Sequence, residues 1–471
     1  MKRAIPDVLF AMAGLLAVVG AWPAMAAEEE RPNVILIMAD DLGYGDLSCY
    51  RGTAPGADRD ARGESGTIRT PVLDRLAAGG VRLTSFYAGA TVCTPSRMAL
   101  LTGAYPPRLG WRGGVLGYKM KTSTGLAPEA RTIAEVFKGA GYRTGLCGKW
   151  HLGSTEELGP RSQGFDAAFF IKMSNNQTKK LWRDGELVAD PFDNRRLTEQ
   201  FTEAAIAFIK AGGERPFFLY LPFTAPHFPA EPHPEWKGRS RNGAYGDVVE
   251  ELDARIGEIL ESLRETGLEK KTIVVFLSDN GPEPGQKKFA TAAPHRGLKW
   301  SSLEGGTRVP CIVSWPGVVP TGRVSDEITA AVDLLPTLAR ACGIGTNDVE
   351  GRPPLDGRDV WDTLAGREGP HPRQDLLYWS GWAVPQAIRV GRWKLYFDEV
   401  KDVPGSDAGP ALFDLAADPS EEKNRAADHP DKVTAMMDRA RKQLAEIEAN
   451  AMALGGPPAD GPQPKAPRWL R

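Results

Sequence analysis

Three short segments of this chain are apolar almost without a break, and each runs straight into a polar cluster. They are Asn33 to Ala39 (NVILIMA) before Asp40-Asp41, Arg215 to Phe223 (RPFFLYLPF) before Pro226-His227, and Thr272 to Leu277 (TIVVFL) before Ser278-Asp279-Asn280-Gly281. A strand with one wet face alternates polar and apolar residues, so unbroken runs predict strands covered on both faces, as in a parallel sheet flanked by helices. Val248, Leu252, Ile256, Ile259, Leu260 and Leu263 fall at helical spacing and predict an amphipathic helix over Asp247 to Thr266, packed on that sheet. Alternating strands and helices mark an α/β domain, and the carboxyl ends of its strands are where such sheets hold ligands. The polar clusters stand at those ends.

The texture changes after about residue 370. Asp375 to Trp379, Gln386 to Val390 and Trp393 to Phe397 read as short strands of a smaller antiparallel sheet. Val433, Met436, Met437, Ala440, Leu444 and Ile447 trace one face of a helix over Asp431 to Asn450, and Gly455 to Pro467 predicts a loose tail. At the other end, Lys2 and Arg3, the uncharged run Val8 to Val19 and Ala24-Met25-Ala26 follow the three-part pattern of a secretory leader. A membrane anchor is the alternative, but a spanning helix needs about 20 apolar residues, and Trp22-Pro23 ends this run sooner. The expected division is a signal peptide over 1–26, a catalytic domain over 27–370, a C-terminal α+β subdomain over 371–454 and a flexible tail over 455–471. The expected location is periplasmic or secreted after cleavage near Ala26, with no stable membrane span.

The 471 residues carry 58 Lys+Arg against 60 Asp+Glu, a formal charge of -2. That balance lacks the basic excess by which nucleic-acid binders hold a phosphate backbone, so no nucleic-acid partner is expected. Five cysteines, Cys49, Cys93, Cys147, Cys311 and Cys342, are an odd number for an exported chain, which points to one put to another use. Their spacings include no C-x-x-C pair, so neither a zinc ribbon nor a thioredoxin-like motif is supported, and pairing among the other four stays open.

Asp40, Asp41, Asp279 and Asn280 offer only oxygen ligands, which favour calcium or magnesium over zinc. Each cluster alone reads equally well as a helix cap or a turn. The sharper signal is Cys93-Thr94-Pro95-Ser96-Arg97, continuing Met98-Ala99-Leu100-Leu101-Thr102-Gly103. Further segments accompany it: Gly141-Tyr142-Arg143-Thr144 leading to Gly148-Lys149-Trp150-His151, Pro226-His227, Leu298-Lys299-Trp300 ahead of Glu304-Gly305-Gly306, and Leu412-Phe413-Asp414-Leu415 ahead of Asp418-Pro419.

Together these segments resemble the signatures of the type I sulfatases, and their spacing is most similar to the arylsulfatase A and N-acetylgalactosamine-6-sulfatase types. The resemblance covers nearly the whole mature chain from Asn33 and implies an alkaline-phosphatase-like fold: α/β, with a large central mostly parallel (mixed) sheet flanked by helices. It implies that a maturation enzyme, reading C-x-P-x-R, oxidises Cys93 to Cα-formylglycine, whose hydrate attacks the sulfur of a sulfate monoester. It further implies one Ca2+ held by Asp40, Asp41, Asp279 and Asn280. Arg97 and Lys149 would stabilise the nucleophile, Lys299 and His227 would bind the sulfate and help protonate the leaving oxygen, and His151 would act as base. The odd cysteine is thereby accounted for.

His233, His295, His371 and His429 match no motif and are expected in loops or at the surface, although His295 and Arg296 lie close enough to Lys299 to line a substrate rim. Tryptophans such as Trp300, Trp379 and Trp382 are expected in the core, with stacking on sugars as the alternative. Ala54 to Gly66, Lys172 to Asp193 and Gly281 to Arg296 carry no motif and are expected to set the substrate, for which a sulfated saccharide or glycosaminoglycan fragment is the leading expectation. Two alternatives remain at this stage: a phosphate or phosphonate ester hydrolase of the same superfamily, and a non-catalytic exported glycan-binding relative.

Overall fold

The computed structural model describes residues 31–51, 68–118, 121–345 and 351–456, with Met1 and Val349 besides. The expected leader, the Ala54 to Gly66 insertion and the tail from residue 457 lie outside the described residues. In chain order the strands of the main body are β1 (Asn33–Ala39), β2 (Val81–Leu83), β3 (Phe86–Tyr87), β4 (Arg143–Lys149), β5 (Ala167–Ile171) and β6 (Leu181–Arg183). They continue with β7 (Glu186–Ala189), β8 (Phe217–Pro222), β9 (Thr272–Ser278), β10 (Cys311–Ser314), β11 (Arg323–Ser325) and β12 (Thr329–Ala330). Ten of them form one mixed sheet in the order β11-β2-β10-β9-β1-β8-β4-β5-β6-β7, while β3 and β12 pair separately. The central run β9-β1-β8-β4-β5 is parallel throughout. All three apolar runs read from the sequence are strands of that run.

Strand β1 shows why its sequence is unbroken. Val34, Leu36 and Met38 share a core with Met98 and Leu100 of α2 (Cys93–Thr102), Ile133 and Phe137 of α3 (Ile133–Gly139), and Leu334 and Leu338 of α6 (Leu334–Ala341). Ile35, Ile37 and Ala39 face the opposite way, into a core with Leu73 of α1 (Pro71–Ala78), Phe201 of α4 (Leu197–Lys210), and Val248 and Ile256 of α5 (Gly243–Glu265). Both faces are dry. Helix α5 begins one turn before the expected Asp247, because Gly243-Ala244-Tyr245-Gly246 carries little amphipathic signal and Asp247 is occupied elsewhere, accepting from the amides of Gly238 and Ser240 at 2.7 Å each.

The C-terminal strands β13 (Asp375–Trp379), β14 (Pro385–Val390), β15 (Trp393–Tyr396) and β16 (Ala411–Asp414) form an antiparallel sheet in sequence order. The helix Pro430–Ala449 lays Met436, Met437, Ala440, Leu444 and Ile447 on it, as the spacing predicted. No helix among the described residues is long and apolar enough to cross a membrane.

Candidate active site

The strand ends converge. Asp40-Asp41 leaves β1, Asp279-Asn280 leaves β9, Lys149 closes β4 with His151 two residues on, and His227 follows β8. These four strands are neighbours in the parallel run, so their carboxyl ends bring distant residues to one place. Gly148 is required just before Lys149: its φ is 144°, and a Cβ there would stand 1.9 Å from the carbonyl oxygen of Pro222 on β8.

Helix α2 supplies the other wall. Cys93 is its first residue and Arg97 follows one turn later, so the C-x-x-x-R spacing places both on one face. Every residue of α2 is buried. The Cys93 Sγ lies 3.3 Å from His151 Nδ1, and His151 Nε2 lies 3.1 Å from the carbonyl oxygen of Leu116. A carbonyl only accepts, so Nε2 carries the ring proton and Nδ1 turns its lone pair toward the Cys93 side chain. Burial, and then the charge of Lys149, push the His151 pKa well below the usual histidine range, which keeps that lone pair free. Burial pushes the Cys93 thiol up, so the unmodified side chain is a buried thiol and not an activated thiolate.

Three carboxylates meet three cations. Lys149 Nζ donates to Asp40 at 2.6 Å, Lys299 Nζ to Asp41 at 2.8 Å, and Arg97 grips Asp279 through Nε and Nη2 at 3.2 and 2.9 Å. Burial works against ionised Asp40, but the charges of Lys149, His227 and Arg97 outweigh it and hold its carboxyl below the usual range. Asp279 goes the other way, pushed up to about 7 by burial and then by the charge of Asp40. Ionised Asp40 thus works against ionisation of its neighbour Asp279.

Two buried oxygens, Asp40 Oδ1 and Asn280 Oδ1, have no hydrogen-bond partner among the described residues. Ligand atoms of Asp40, Asp41 and His227 lie within 4.8 Å of one another, the one grouping of metal-ligating side chains among the described residues. Orphaned hard oxygens beside three carboxylates fit a divalent cation of the calcium type.

All ten sequence-derived candidates, Asp40, Asp41, Cys93, Arg97, Lys149, His151, His227, Asp279, Asn280 and Lys299, lie in this buried cluster. Sequence reasoning missed Asn175, whose Oδ1 lies 3.0 Å from His227 Nδ1, and Ser174, whose Oγ lies 3.5 Å from His151 Nδ1. The signal was present: β5 is another apolar run, AAFFI, and the polar stretch Lys172-Met173-Ser174-Asn175 follows it. Glu283, 3.3 Å from Lys299, was missed as well.

Two histidines expected in loops or at the surface are buried. His295 packs edge-on to Tyr44 at 4.8 Å with Nδ1 3.3 Å from the carbonyl of Pro419, and His371 bridges Thr363 and the carbonyl of Ile328 at 2.7 Å each. Trp379 is core, as expected, whereas Trp300 and Trp382 are only half-buried. All five cysteines are free thiols.

Comparison with known proteins agrees with this geometry. The family model described as Sulfatase matches residues 32–344. Arylsulfatase A of Homo sapiens is 34% identical over 86% of this chain and 85% of its own length. Steryl-sulfatase of Mus musculus is 32% identical over 100% and 90%, and the N-acetylgalactosamine-6-O-sulfatase of Bacteroides thetaiotaomicron 31% identical over 86% and 91%. Among solved structures, a chain labelled 6S-sulf from work on glycosaminoglycan metabolism by Bacteroides thetaiotaomicron superposes with a TM-score of 0.77 at 28% identity, covering 89% of this chain and 100% of that one. A protein solved in complex with a neocarrahexaose gives 0.75 at 28%, covering 89% and 93%. The fold is alkaline-phosphatase-like, and the chain belongs to the sulfatase family of sulfuric ester hydrolases.

Proposed function

We propose that this chain is an exported hydrolase of sulfate monoesters, acting on sulfated saccharides, with Cys93 matured to Cα-formylglycine and one calcium ion at the strand ends. The observation that carries this reading is the position of Cys93: first in a buried helix, within reach of the free lone pair of His151, and surrounded by Arg97, Lys149 and Lys299. A plain thiol has no use for that setting, because burial keeps it protonated. Hydrated formylglycine supplies a hydroxyl nucleophile and, unlike serine, a second hydroxyl whose proton permits release of sulfate.

Asp40, Asp41, Asp279 and Asn280 would hold the ion, which when bound polarises a sulfate oxygen as a Lewis acid. The electrostatics support an anionic substrate. Three carboxylates against three cations leave the protein part of the site near neutral, so a divalent cation leaves a surplus of positive charge for the ester. Arg97 and Lys149 then fix the side chain at position 93. Burial alone would lower the pKa of Lys299, but Asp41 outweighs it, so this lysine stays charged as a donor to the ester. His227, its Nδ1 proton taken by Asn175 Oδ1 and the carbonyl of Phe228, donates at the leaving oxygen through Nε2 in its protonated form.

The relatives named for N-acetylgalactosamine 6-sulfate and the neighbour solved with a neocarrahexaose support a saccharide substrate. Export rests on the Lys2-Arg3, Val8 to Val19 and Ala24-Met25-Ala26 pattern. The first test is peptide mass spectrometry of protein produced with a maturation enzyme. A Cys93 peptide about 18 Da lighter than the thiol form is the expected result, an aldehyde having replaced the thiol. An unmodified thiol in protein from its own host overturns the mechanism. Rates on an aryl sulfate and the matching aryl phosphate decide the reaction class, and faster phosphate hydrolysis would reverse it.

A further inference from the structure

A cleft of about 1170 Å³ opens beside the catalytic lysine, with Lys299 and Trp300 both in its wall. It is larger than the clefts of roughly 300–1,000 Å³ that take a single small ligand. One side is aromatic. Trp300 packs against Val92, Cys93 and Val115, Trp382 stands 6.4 Å from Trp300 ring to ring, and Tyr118, more than half exposed, stands 6.2 Å from Trp300 on a third side. The two indoles converge over Gly114, where a Cβ would meet Trp300 at 3.4 Å and Trp382 at 3.5 Å.

The wall is held in place at a cost. Trp300 adopts φ 74°, a left-handed conformation that a bulky residue avoids, and strain of that kind collects at working sites. Gly381 makes room for it, since a Cβ there would lie 2.7 Å from the six-membered ring of Trp300. A core tryptophan would be fully covered, yet Trp300 and Trp382 are only half-buried and border the cleft. Polar side chains share the lining: Ser380, Gln386, Lys401 and Asp402.

Resting on the sulfatase reading above, we infer that this wall is the subsite for the sugar next to the sulfated unit, so that the substrate is a sulfated oligosaccharide and Trp382 determines specificity for it. A pyranose has one apolar C–H face and a rim of hydroxyls. The indoles of Trp300 and Trp382 cover the face, and the polar side chains meet the rim. A steroid or simple aryl ester has no such rim and would leave these polar groups to water. Trp300 packs against the cluster that holds Cys93 and so serves the sulfated ring, while Trp382, 6.4 Å from it ring to ring, serves the next one.

The test compares matured wild-type enzyme with Trp382→Ala and Trp382→Phe. Substrates are 6-O-sulfated hexose and N-acetylhexosamine, each as monosaccharide and as disaccharide, with 4-nitrophenyl sulfate alongside. Wild type is expected to favour a disaccharide over its monosaccharide in kcat/KM by about tenfold or more, the order of one ring face of apolar burial. Trp382→Ala should remove that preference, chiefly through KM, and Trp382→Phe should restore most of it. Equal rates on mono- and disaccharide in wild type, or a preference that survives in Trp382→Ala, overturns the inference. Turnover of 4-nitrophenyl sulfate without turnover of any saccharide overturns it too, and leaves the hydrolase reading intact. If no sulfate ester is cleaved at all, the hydrolase reading fails. Calorimetric titration with the same disaccharides then decides the subsite, saturable binding that weakens about tenfold in Trp382→Ala upholding it and its absence refuting it.

Discussion

Among the described residues seven non-glycine residues have positive φ, and three of them, Asp41 at 65°, His151 at 60° and Trp300 at 74°, belong to the candidate active site or border it. Each such conformation costs on the order of 1–3 kcal/mol and persists where surrounding structure over-determines it. For His151 the consequence is chemical, because its turn aims Nδ1 at Cys93 while Nε2 reaches the carbonyl of Leu116. If His151 takes the proton that lets sulfate leave, and plays no part in the attack, His151→Ala separates the two halves of the reaction. Matured His151→Ala should release one equivalent of alcohol in a burst at near wild-type rate, and steady-state sulfate release should fall by about 10²–10⁴-fold. A proportional loss of the burst would show that His151 acts in the first half as well. Cys93→Ser lacks the second hydroxyl altogether. It should release at most one alcohol per enzyme, and repeated turnover counted by quenched flow would refute the formylglycine mechanism.

At the scale of elements, α2 presents a difficulty of access that the proposed chemistry must meet. Cys93 is 1% exposed and Arg97 0%, and Arg97 is tied to Asp279 and the carbonyl of Lys149. An enzyme reading C-x-P-x-R in the folded protein would have to extract a helix from the core, at a cost comparable to global unfolding. Conversion of Cys93 should therefore occur only before folding. Maturation enzyme added to folded, unmodified protein should leave the Cys93 peptide mass unchanged, while the same enzyme should convert a peptide spanning Thr91 to Thr102; conversion of the native protein would sink this argument. What could be read from the sequence follows the same division between long dry elements and short ones. Strands β1, β8 and β9 were legible because both faces are buried, and Cys93, Lys149 and Lys299 because they sit in signatures of fixed spacing. Strands β6, β7 and β11 are three or four residues long and give no periodicity to read. His295 acts through a partner 124 residues away, which no local pattern encodes, whereas Asn175 follows the apolar run of β5 and lay within reach of the same reading.

At the scale of the whole molecule, the segment carrying Lys299 is coupled to the C-terminal sheet through buried charge. Glu304, at the turn after Lys299, receives Lys394 of β15 at 2.9 Å, the Tyr87 hydroxyl at 2.6 Å and the Tyr378 hydroxyl at 2.8 Å, and its amide donates to Glu421 at 2.7 Å. The Gly305 amide meanwhile donates to Arg296 at 2.7 Å, so the network fixes both ends of the segment carrying Lys299. His295 sits in this region as a neutral ring, its pKa lowered to about 3 by burial and then by the charge of Arg308. Its unfolded value is near 6.5, so the folded state loses stability as pH falls from about 6.5 toward 3, where the unfolded chain binds a proton that the folded one refuses. Glu251 and Asp253, pushed up to about 7 and about 6 by burial, contribute the opposite slope, so the effect is read as the difference between wild type and His295→Asn in urea titrations across that range. The variant should show the shallower acid loss, and parallel curves would refute it.

Lys394 tests the coupling itself. It is fully buried between Glu304 and Glu421, each at 2.9 Å, with its ammonium over the ring of Tyr378. Lys394→Met preserves the stem but strands two carboxylates without their cation, which should cost about 3–5 kcal/mol as a fall in the urea midpoint. Adding Glu421→Gln removes one stranded charge and should recover part of that loss. Because the network joins the C-terminal sheet to β3 and to the segment carrying Lys299, tryptophan fluorescence and far-UV circular dichroism should still report one coincident transition. A loss below about 1 kcal/mol, the worth of an ordinary surface pair, would show that this buried charge does not tie the C-terminal sheet to the main body. The position of Lys299 would then owe nothing to the C-terminal strands.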